Sequence, residues 1–322
     1  MAHIWTNDNG VHFSAELSKF LRYSSQPLLK FRQFADVKDA MGRDQGDNFN
    51  FPKVANVTGP GGRIVETNTV PQAAQTITKG TLTITEYANS VPFTFKIDVL
   101  SQFELEQIVE TGLRDDMVKI IDAGVEERFN ETPLRFVATA TDASAVTTDG
   151  TATATNTSAN NERHIRKMRL ELEKRNVPML DGDTYAFIGS LENIESLNGA
   201  MVSINQYQQV GYQKILNGEQ GMVHGVRLVK DNNATRLSYD LDNPGTAATL
   251  RTNFDTSAVS GNGYMFGRDT VMEGVAVPEQ VRAKEVTDFG RSKGLAWYFL
   301  GGWALIWDDE PNAKIIKFDS AA

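Results

Sequence analysis

The longest periodic pattern of apolar residues in this chain lies between residues 101 and 132. Apolar side chains recur there every three or four positions, the spacing that places them on one face of a helix: Leu105, Ile108, Val109, Leu113, Met117, Ile120, Ile121, Val125 and Phe129. Ser101 and Glu104 have capping-box spacing, and Pro133 ends the pattern. We predict a helix over 101–132, about 48 Å long at 1.5 Å per residue. Gly112 and Gly124, close to the stripe, either permit a bend or close packing or are tolerated at some cost.

The residues before that helix alternate between apolar and polar side chains, as strands with one buried face do. In GDNFNFPKV the pattern puts Phe49 and Phe51 on one face. In TLTITEYANSVPFTFKID the alternating apolar residues are Leu82, Ile84, Phe93, Phe95 and Ile97. We expect the two segments to pair as a long hairpin. The connection at 58–80 is rich in glycine, proline and polar residues, and a connection this long is usually functional or flexible.

Three further segments complete the pattern. Ser14 is placed to cap a short helix carrying Leu17, Phe20 and Leu21, so residues 1–45 are either an arm on a neighbouring subunit or an ordinary irregular segment. Residues 138–161 are almost entirely small and polar, which predicts an exposed loop. A second helix is predicted over 161–175, a segment with six basic and three acidic residues. We favour a solvated face with local ion pairs over a nucleic-acid face.

The most apolar stretch is GLAWYFLGGWALIW, residues 294–307, which carries no charge. It is shorter than the roughly 20 residues that a membrane-spanning helix needs. Its aromatic residues and the Gly301-Gly302 pair favour two short buried strands, turned or bent at the glycines. The N-terminus has no basic segment followed by an apolar core, so we predict no signal peptide.

Composition narrows the chemistry. The 322 residues include no cysteine, which excludes disulfides and thiolate metal sites. The formal charge is −9, from 41 acids and 32 bases. An acidic surface does not hold nucleic acid electrostatically, because phosphate binding depends on lysine and arginine.

The candidate catalytic motif lacks the neighbouring elements and the residue order that its chemistry requires. Gly290-Arg291-Ser292-Lys293-Gly294 matches G-x-S-x-G, but a nucleophile elbow needs a helix after the serine and a histidine later in the chain. Strand-like sequence follows Ser292, and the last histidine is His224. The four histidines do not have the spacing of metal ligands. The GPGG segment at 59–62 lacks the lysine of a phosphate loop. The carboxylates at 308–310 indicate a solvated turn. We predict no catalytic, cofactor or metal site.

The order of these pieces resembles the major capsid protein of tailed double-stranded DNA bacteriophages, which has the Johnson fold. The stretch from GDNFNFPKV through TLTITEYANSVPFTFKIDVLSQFE to the long helix resembles that family's extended loop and spine helix. NGEQGMVHGVRLVKDN resembles a strand-bearing part of its axial region. The sequence from GYMFGRD to ALIW, with AKIIKFDS, resembles its C-terminal part. The three stretches cover about two-thirds of the chain, and it is their order that carries the resemblance.

The resemblance implies an α+β, Johnson-type capsid fold with five parts. These are an N-terminal arm over 1–45, an extended β-hairpin loop over 46–97, a peripheral domain over 98–180 with the spine helix at 101–132, an axial domain over 181–300, and C-terminal strands over 301–322 that return to the core or peripheral domain. Because the hairpin begins near residue 46, we expect a separate scaffolding protein or none.

The implied function is a non-enzymatic shell subunit that assembles with itself into hexamers and pentamers and encloses double-stranded DNA without sequence-specific binding. It would be made in the host bacterial cytoplasm and reside in the virion, with portal, scaffolding and decoration proteins as further partners and no membrane. The candidate intersubunit contacts are Arg63, Glu66, Lys53 and Lys79. Some family members cross-link the loop through lysine and asparagine; with Asn312 as the asparagine here, we predict no cross-link. The alternatives are a nanocompartment shell enclosing a cargo enzyme and, from another class, a soluble binding protein or hydrolase.

Overall fold

The computed structural model describes residues 30–39, 46–57, 59, 61–101, 103–139, 146–151, 156–180, 182, 184–197, 222–231, 237–238, 241–242, 249–250 and 260–321. The predicted Ser14-capped helix, with Leu17, Phe20 and Leu21, lies outside these residues. So do residues 140–145 and 152–155 of the predicted polar loop.

The described elements alternate between strands and a few helices. The strands are β1 (Asp36–Asp39), β2 (Asn48–Val54), β3 (Ile77–Thr83), β4 (Thr85–Thr94), β5 (Leu134–Val137), β6 (Tyr185–Gly189), β7 (Met222–Val223), β8 (Val226–Lys230), β9 (Leu237–Ser238), β10 (Thr249–Leu250), β11 (Ser260–Phe266), β12 (Val271–Ala283), β13 (Ser292–Leu305) and β14 (Ile315–Ala321). The helices are α1 (Phe95–Leu100), α2 (Leu105–Asn130) and α3 (Glu162–Lys174), with 3-10 turns at Arg32–Phe34 and Glu310–Asn312. Residues 191–197 are also helical.

One sheet is mixed and has the strand order β5-β14-β11-β6-β8-β7. The helix α3 shares a core with it, and the buried side chains include Ile165, Met168, Leu172, Phe187 and Phe318. Asn161 caps α3, because its side-chain oxygen accepts a hydrogen bond from the backbone N–H of His164 at 3.1 Å. The helix predicted over 161–175 is therefore confirmed, with bounds one residue shorter at each end.

The second large sheet has the order β1-β12-β13-β4, and α2 packs beside it. The buried stripe of α2 shares a core with both sheets: Val109, Leu113, Ile121, Val125 and Phe129 of the helix, Trp297, Phe299 and Trp303 of β13, and Ile188, Tyr264 and Phe266 of the six-stranded sheet. Aromatic edges meet directly, with the rings of Phe129 and Phe266 5.0 Å apart. The long helix therefore joins the two sheets through one core.

The long helix is confirmed, but it begins at Leu105 rather than Ser101. Ser101 instead ends α1: its backbone N–H donates to the Ile97 carbonyl at 2.8 Å, and its hydroxyl oxygen accepts from the N–H of Phe103 at 3.1 Å. Glu104 is the residue before the helix and makes no side-chain cap. The Ser-x-x-Glu spacing was thus not a capping box, and α2 is about 39 Å long at 1.5 Å per residue.

The apolar C-terminal stretch forms one strand rather than two. β13 runs without interruption through Gly301-Gly302 and pairs with β4 from Ser292 to Gly301. The irregularities lie in its other neighbour, β12, where the register shifts between Val275 and Val277 and again before Gln280. A β-carbon on Gly302 would lie 2.0 Å from the carbonyl oxygen of Thr83. The glycines therefore serve close backbone approach, not a turn.

The predicted hairpin is confirmed in part. β2 pairs antiparallel with β3 from Asn48–Thr83 to Val54–Ile77. β4 then leaves the hairpin and joins β13 in the four-stranded sheet. Phe93 lies in β4 and is buried, as predicted. Phe95 and Ile97 were misread as strand, because α1 begins at Phe95, where the N–H donates to the carbonyl of Arg291 at 2.9 Å.

Residues 30–39 are fixed to their own chain. Phe31 is fully buried, with its ring 5.5 Å from Phe129. The buried carboxylate of Asp122 on α2 accepts backbone N–H groups from Lys30 at 3.2 Å and Arg32 at 2.8 Å. β1 then pairs parallel with β12. In this part of the predicted arm, the contacts are intramolecular.

The sheets group the chain differently from the expected domain boundaries. β12 and most of β13, placed by sequence in an axial domain over 181–300, lie in the four-stranded sheet beside α2. β5 and α3, placed in the peripheral domain, belong with the six-stranded sheet. The reason is that the chain passes between the sheets more than once, so that no single boundary separates them.

Candidate interaction surface

The base of the β2–β3 hairpin is docked on its own subunit. Phe51 is buried, and its ring covers Gly80 on the opposite strand, where a β-carbon would lie 2.3 Å from the ring. A third core holds the base against the four-stranded sheet, and its members are Phe51, Leu82, Ile84, Met272, Ala276 and Ala304, with Phe49, Leu300 and Ile306 at its edge. The predicted inward face of Phe49 and Phe51 is confirmed.

Lys53 continues this inward face and makes an ion pair within the subunit. Only 6% of its side chain is exposed, and its Nζ lies 2.5 Å from Oδ1 of Asp308. The hydrogen bond from Lys53 lowers the pKa of Asp308 below its ordinary value of 3.8. Lys53 therefore helps to dock the hairpin on its own subunit, and its role as an intersubunit contact stays a prediction.

Beyond Lys53 the hairpin leaves the subunit. The backbone N–H of Ala55 donates to Thr76 at 3.1 Å, and Asn68 donates to Val65 at 2.8 Å in a turn. All described residues from 61 to 79 are exposed. Six large apolar side chains are among the exposed residues of this outer half: Val54, Val57, Ile64, Val65, Val70 and Ile77. We call these six residues the hairpin strip.

The remaining predicted contacts lie on the outer half but are not brought together. Arg63 and Glu66 are exposed in the tip, and Lys79 is exposed on β3 opposite Pro52. None of the three makes an ion pair with another described residue. They stay predictions as intersubunit contacts.

The rejected catalytic and metal candidates have ordinary partners. Ser292 begins β13, and its hydroxyl oxygen accepts a hydrogen bond from Nζ of Lys284 at 2.7 Å. In the carboxylate turn, Asp309 accepts from Asn312 and Glu310 pairs with Arg175 at 3.0 Å. Across the described residues, no group of three or more His, Asp or Glu is arranged to hold a metal ion. No helix in the described part of the chain is long and apolar enough to cross a membrane.

The sequence reasoning missed two features of this surface. The hairpin strip has no regular period, so only its apolar composition within a glycine-rich loop could have indicated it. Lys53 lies two residues after Phe51 and four after Phe49, and residues two apart share a strand face. This spacing could have indicated that Lys53 faces inward.

The solved structures similar to this chain include phage capsids. The acid-stable capsid of Helicobacter pylori bacteriophage KHP30 matches with a TM-score of 0.69 at 13% identity, covering 100% of this chain and 99% of that chain. The capsid of cyanophage P-SCSP1u matches with a TM-score of 0.67 at 14% identity, covering 96% and 93%. The capsid of Ralstonia phage GP4 matches with a TM-score of 0.67 at 14% identity, covering 100% and 98%.

These likenesses are structural rather than sequence-based. No protein-family model matches the chain, and no curated protein is similar to it in sequence. The structural matches nevertheless extend over nearly the full length of both partners. The chain therefore has the fold of these phage capsid structures, and the α+β, Johnson-type fold predicted from the sequence is confirmed.

Proposed function

We propose that this chain is the major capsid protein of a tailed phage, a structural subunit that self-assembles into an icosahedral shell enclosing double-stranded DNA. The observation that carries the proposal is the β2–β3 hairpin, which is docked at its base and exposed along its outer half. The full-length likeness to phage capsid structures supports the same function.

The hairpin strip explains why a second copy is needed. A two-stranded ribbon is marginally stable alone and gains stability when a face is covered. Here the inner half is covered by the subunit's own sheet, whereas the strip leaves Val65 63% and Val70 70% exposed. A neighbouring copy of the chain would cover them, as the subunits of hexamers and pentamers do around a closed shell.

The sheets define the two domains that we propose. The peripheral domain comprises α2 with the β1-β12-β13-β4 sheet, and the axial domain comprises α3 with the six-stranded sheet. In the shell, the axial domains would meet at the centres of hexamers and pentamers. Portal, scaffolding and decoration proteins would be further partners. The subunit would be made in the host cytoplasm and reside in the virion.

The acidic balance of the chain fits enclosure of DNA without tight binding. A formal charge of −9 repels phosphate at long range, so the shell would confine DNA without sequence-specific contacts. The test is the nucleic acid inside purified particles. Nuclease-protected double-stranded DNA of defined length supports a phage capsid, whereas an enclosed protein with no DNA supports a nanocompartment and would overturn the proposal.

The role of the hairpin is tested by replacing its tip. Deleting residues 58–80 would also remove Gly80, which lies beneath Phe51, and so would disturb the docked base. Replacing residues 56–75 with Asn-Gly keeps the paired strands and supplies a two-residue hairpin turn. We expect this variant to unfold at the same temperature as the parent subunit but to remain unassembled at concentrations where the parent forms shells. Normal shells from the variant would refute the role of the tip.

A further inference from the structure

A second exposed apolar surface lies at the other end of β13 from the hairpin. The turn between β12 and β13 meets α1 there: Arg291 accepts the Phe95 N–H, and Nζ of Lys293 lies 2.8 Å from Oδ2 of Asp98. Ser292 is ten residues from Gly302 along β13, about 33 Å at 3.3 Å per residue. The two surfaces are therefore separate.

Five large apolar side chains are exposed at this end. Their exposed fractions are 50% for Phe95, 62% for Val99, 51% for Leu100, 58% for Val286 and 107% for Phe289. We call these five residues the apolar end. Phe289 differs from most other described phenylalanines, which are buried, and it touches almost nothing in its own chain.

The backbone that presents Phe289 is strained. Three successive residues have left-handed φ angles, +54° at Asp288, +50° at Phe289 and +92° at Gly290. A bulky residue with positive φ is a genuine outlier. The turn is nevertheless fixed, because Thr287 and Ser292 exchange backbone hydrogen bonds at 3.4 and 3.2 Å, and Arg291 donates to Asp288 at 3.0 Å. Backbone strain of this kind clusters at functional sites, so the turn is a candidate for a role in recognition.

The charges around the apolar end suit a copy of the same chain. Both signs are present: Lys96, Lys284, Arg291 and Lys293 with Asp98, Glu285 and Asp288. Asp98 pairs with Lys293, and Arg291 lies 3.7 Å from Asp288. A polyanion such as DNA would require a basic surface. A surface with a balanced rim can instead meet a copy of itself without like-charge repulsion.

We infer that the apolar end is a second intersubunit contact, in which Phe289 of one copy packs between Phe95 and Val99 on α1 of a neighbouring copy. Phe95 and Val99 are four residues apart, so they share one face of the helix, and both are half exposed or more. Because a turn meets a helix, the contact is head-to-tail, the kind that forms a ring when its rotation closes around a symmetry axis. This inference rests on the proposed shell function and adds a contact that the hairpin does not supply.

The test separates the contact from the fold of the subunit. Asn and Gly both tolerate positive φ, so Phe289→Asn and Phe289→Gly remove the side chain and relieve the strain. We expect both variants to unfold at the parent temperature or above it, and to need about tenfold more protein for half-assembly. The matched control is Leu170→Gln, which removes another half-exposed apolar side chain, on α3, and should assemble like the parent.

A cysteine pair identifies the partner residue. The natural chain contains no cysteine, so F289C chains mixed with V99C chains can form only engineered disulfides. We expect oxidised particles to contain disulfide-linked dimers that carry one chain of each type. Assembly of the Phe289 variants at the parent concentration, or disulfides only between like chains, would overturn the inference while leaving the shell function standing. Failure of the parent itself to assemble would instead overturn the proposed function.

Discussion

The carbonyl oxygen of Thr83 occupies the space that a side chain on Gly302 would need: a β-carbon there would lie 2.0 Å from it. This contact joins the end of the hairpin to β13, an inner strand of the four-stranded sheet. We expect Gly302→Ala to lower the free energy of unfolding by about 1–3 kcal/mol, because two backbones must separate. Gly62→Ala, in the exposed tip with no atom within 4 Å of the added carbon, should change it by less than about 0.5 kcal/mol. Urea denaturation measures both, and equal stabilities would contradict the close approach.

The two glycines of α2 should respond in opposite directions to alanine. At Gly124 a β-carbon would lie 2.3 Å from the ring of Trp303, whereas at Gly112 no atom lies within 4 Å. We expect Gly112→Ala to stabilise the subunit by up to about 1 kcal/mol through helix propensity. Gly124→Ala should destabilise it by about 1–3 kcal/mol through overpacking. Thermal unfolding of the two variants checks the signs, and stabilisation by both would show that Trp303 does not pack on Gly124.

The loss of stability when the Lys53–Asp308 pair is broken should depend on which partner is replaced. Asp308→Asn leaves a buried ammonium without its carboxylate and should cost about 1–3 kcal/mol. Lys53→Met replaces the buried amine with an apolar side chain of similar length and should lie within about 1 kcal/mol of the parent. Equal losses in urea denaturation would contradict this account.

The same pair gives the docked hairpin a dependence on acid. Because the pKa of Asp308 is lower in the folded state, its contribution is present above the ordinary value of 3.8 and is lost as pH falls through the folded value. The difference in free energy of unfolding between the parent and Asp308→Asn should therefore shrink as pH is lowered from 7 to 3. A difference that stays constant over this pH range would refute the stabilising role of the Asp308 carboxylate.

The contribution of Asp122 to the free energy of unfolding should change with pH in the opposite direction to that of Asp308. Burial raises its pKa, although the backbone N–H groups of Arg32, Lys30 and Phe31 partly offset this effect. A raised folded-state pKa means that the folded state gains relative stability as pH falls towards the ordinary value of 3.8, and loses it as pH rises through the folded value. Measured against Asp122→Asn, the parent should become relatively less stable as pH rises from 4 to 7. A difference that does not change with pH would contradict the buried carboxylate.

The hairpin strip should matter more to assembly than the charges beside it. We expect Val65→Ser with Val70→Ser to weaken each contact by about 2 kcal/mol, roughly 30-fold in its equilibrium constant. Arg63→Ser with Glu66→Ser should weaken it by less than about 1 kcal/mol, since exposed ion pairs contribute little. Light scattering against protein concentration compares the two double variants. A larger effect from the charged pair would restore the two residues as the main contact.

The sequence predicted the features that depend on local periodicity. The stripe of α2, the extent of α3 and the alternation of Phe49 and Phe51 are all readable from neighbouring residues. The Gly301-Gly302 pair was misread as a turn since its role depends on Thr83, more than two hundred positions earlier in the chain. Phe95 was misread as strand because its N–H partner, Arg291, is nearly as distant in sequence.

The candidate site was only partly predictable for the same reason. The position of the glycine-rich tip was evident from composition, whereas the inward pairing of Lys53 depends on Asp308 at the far end of β13. The strained turn at Phe289 carries a local Asp-Phe-Gly signal, but its exposure follows from the absence of any described neighbour over it. Tertiary contacts, and not propensity, decide these positions.

Electron microscopy of the purified chain tests the central claim most directly. The account predicts closed shells of uniform diameter from the parent chain at high concentration, and unassembled folded subunits from the variant in which Asn-Gly replaces residues 56–75. A parent chain that stays a stable monomer at every concentration tested would contradict the account.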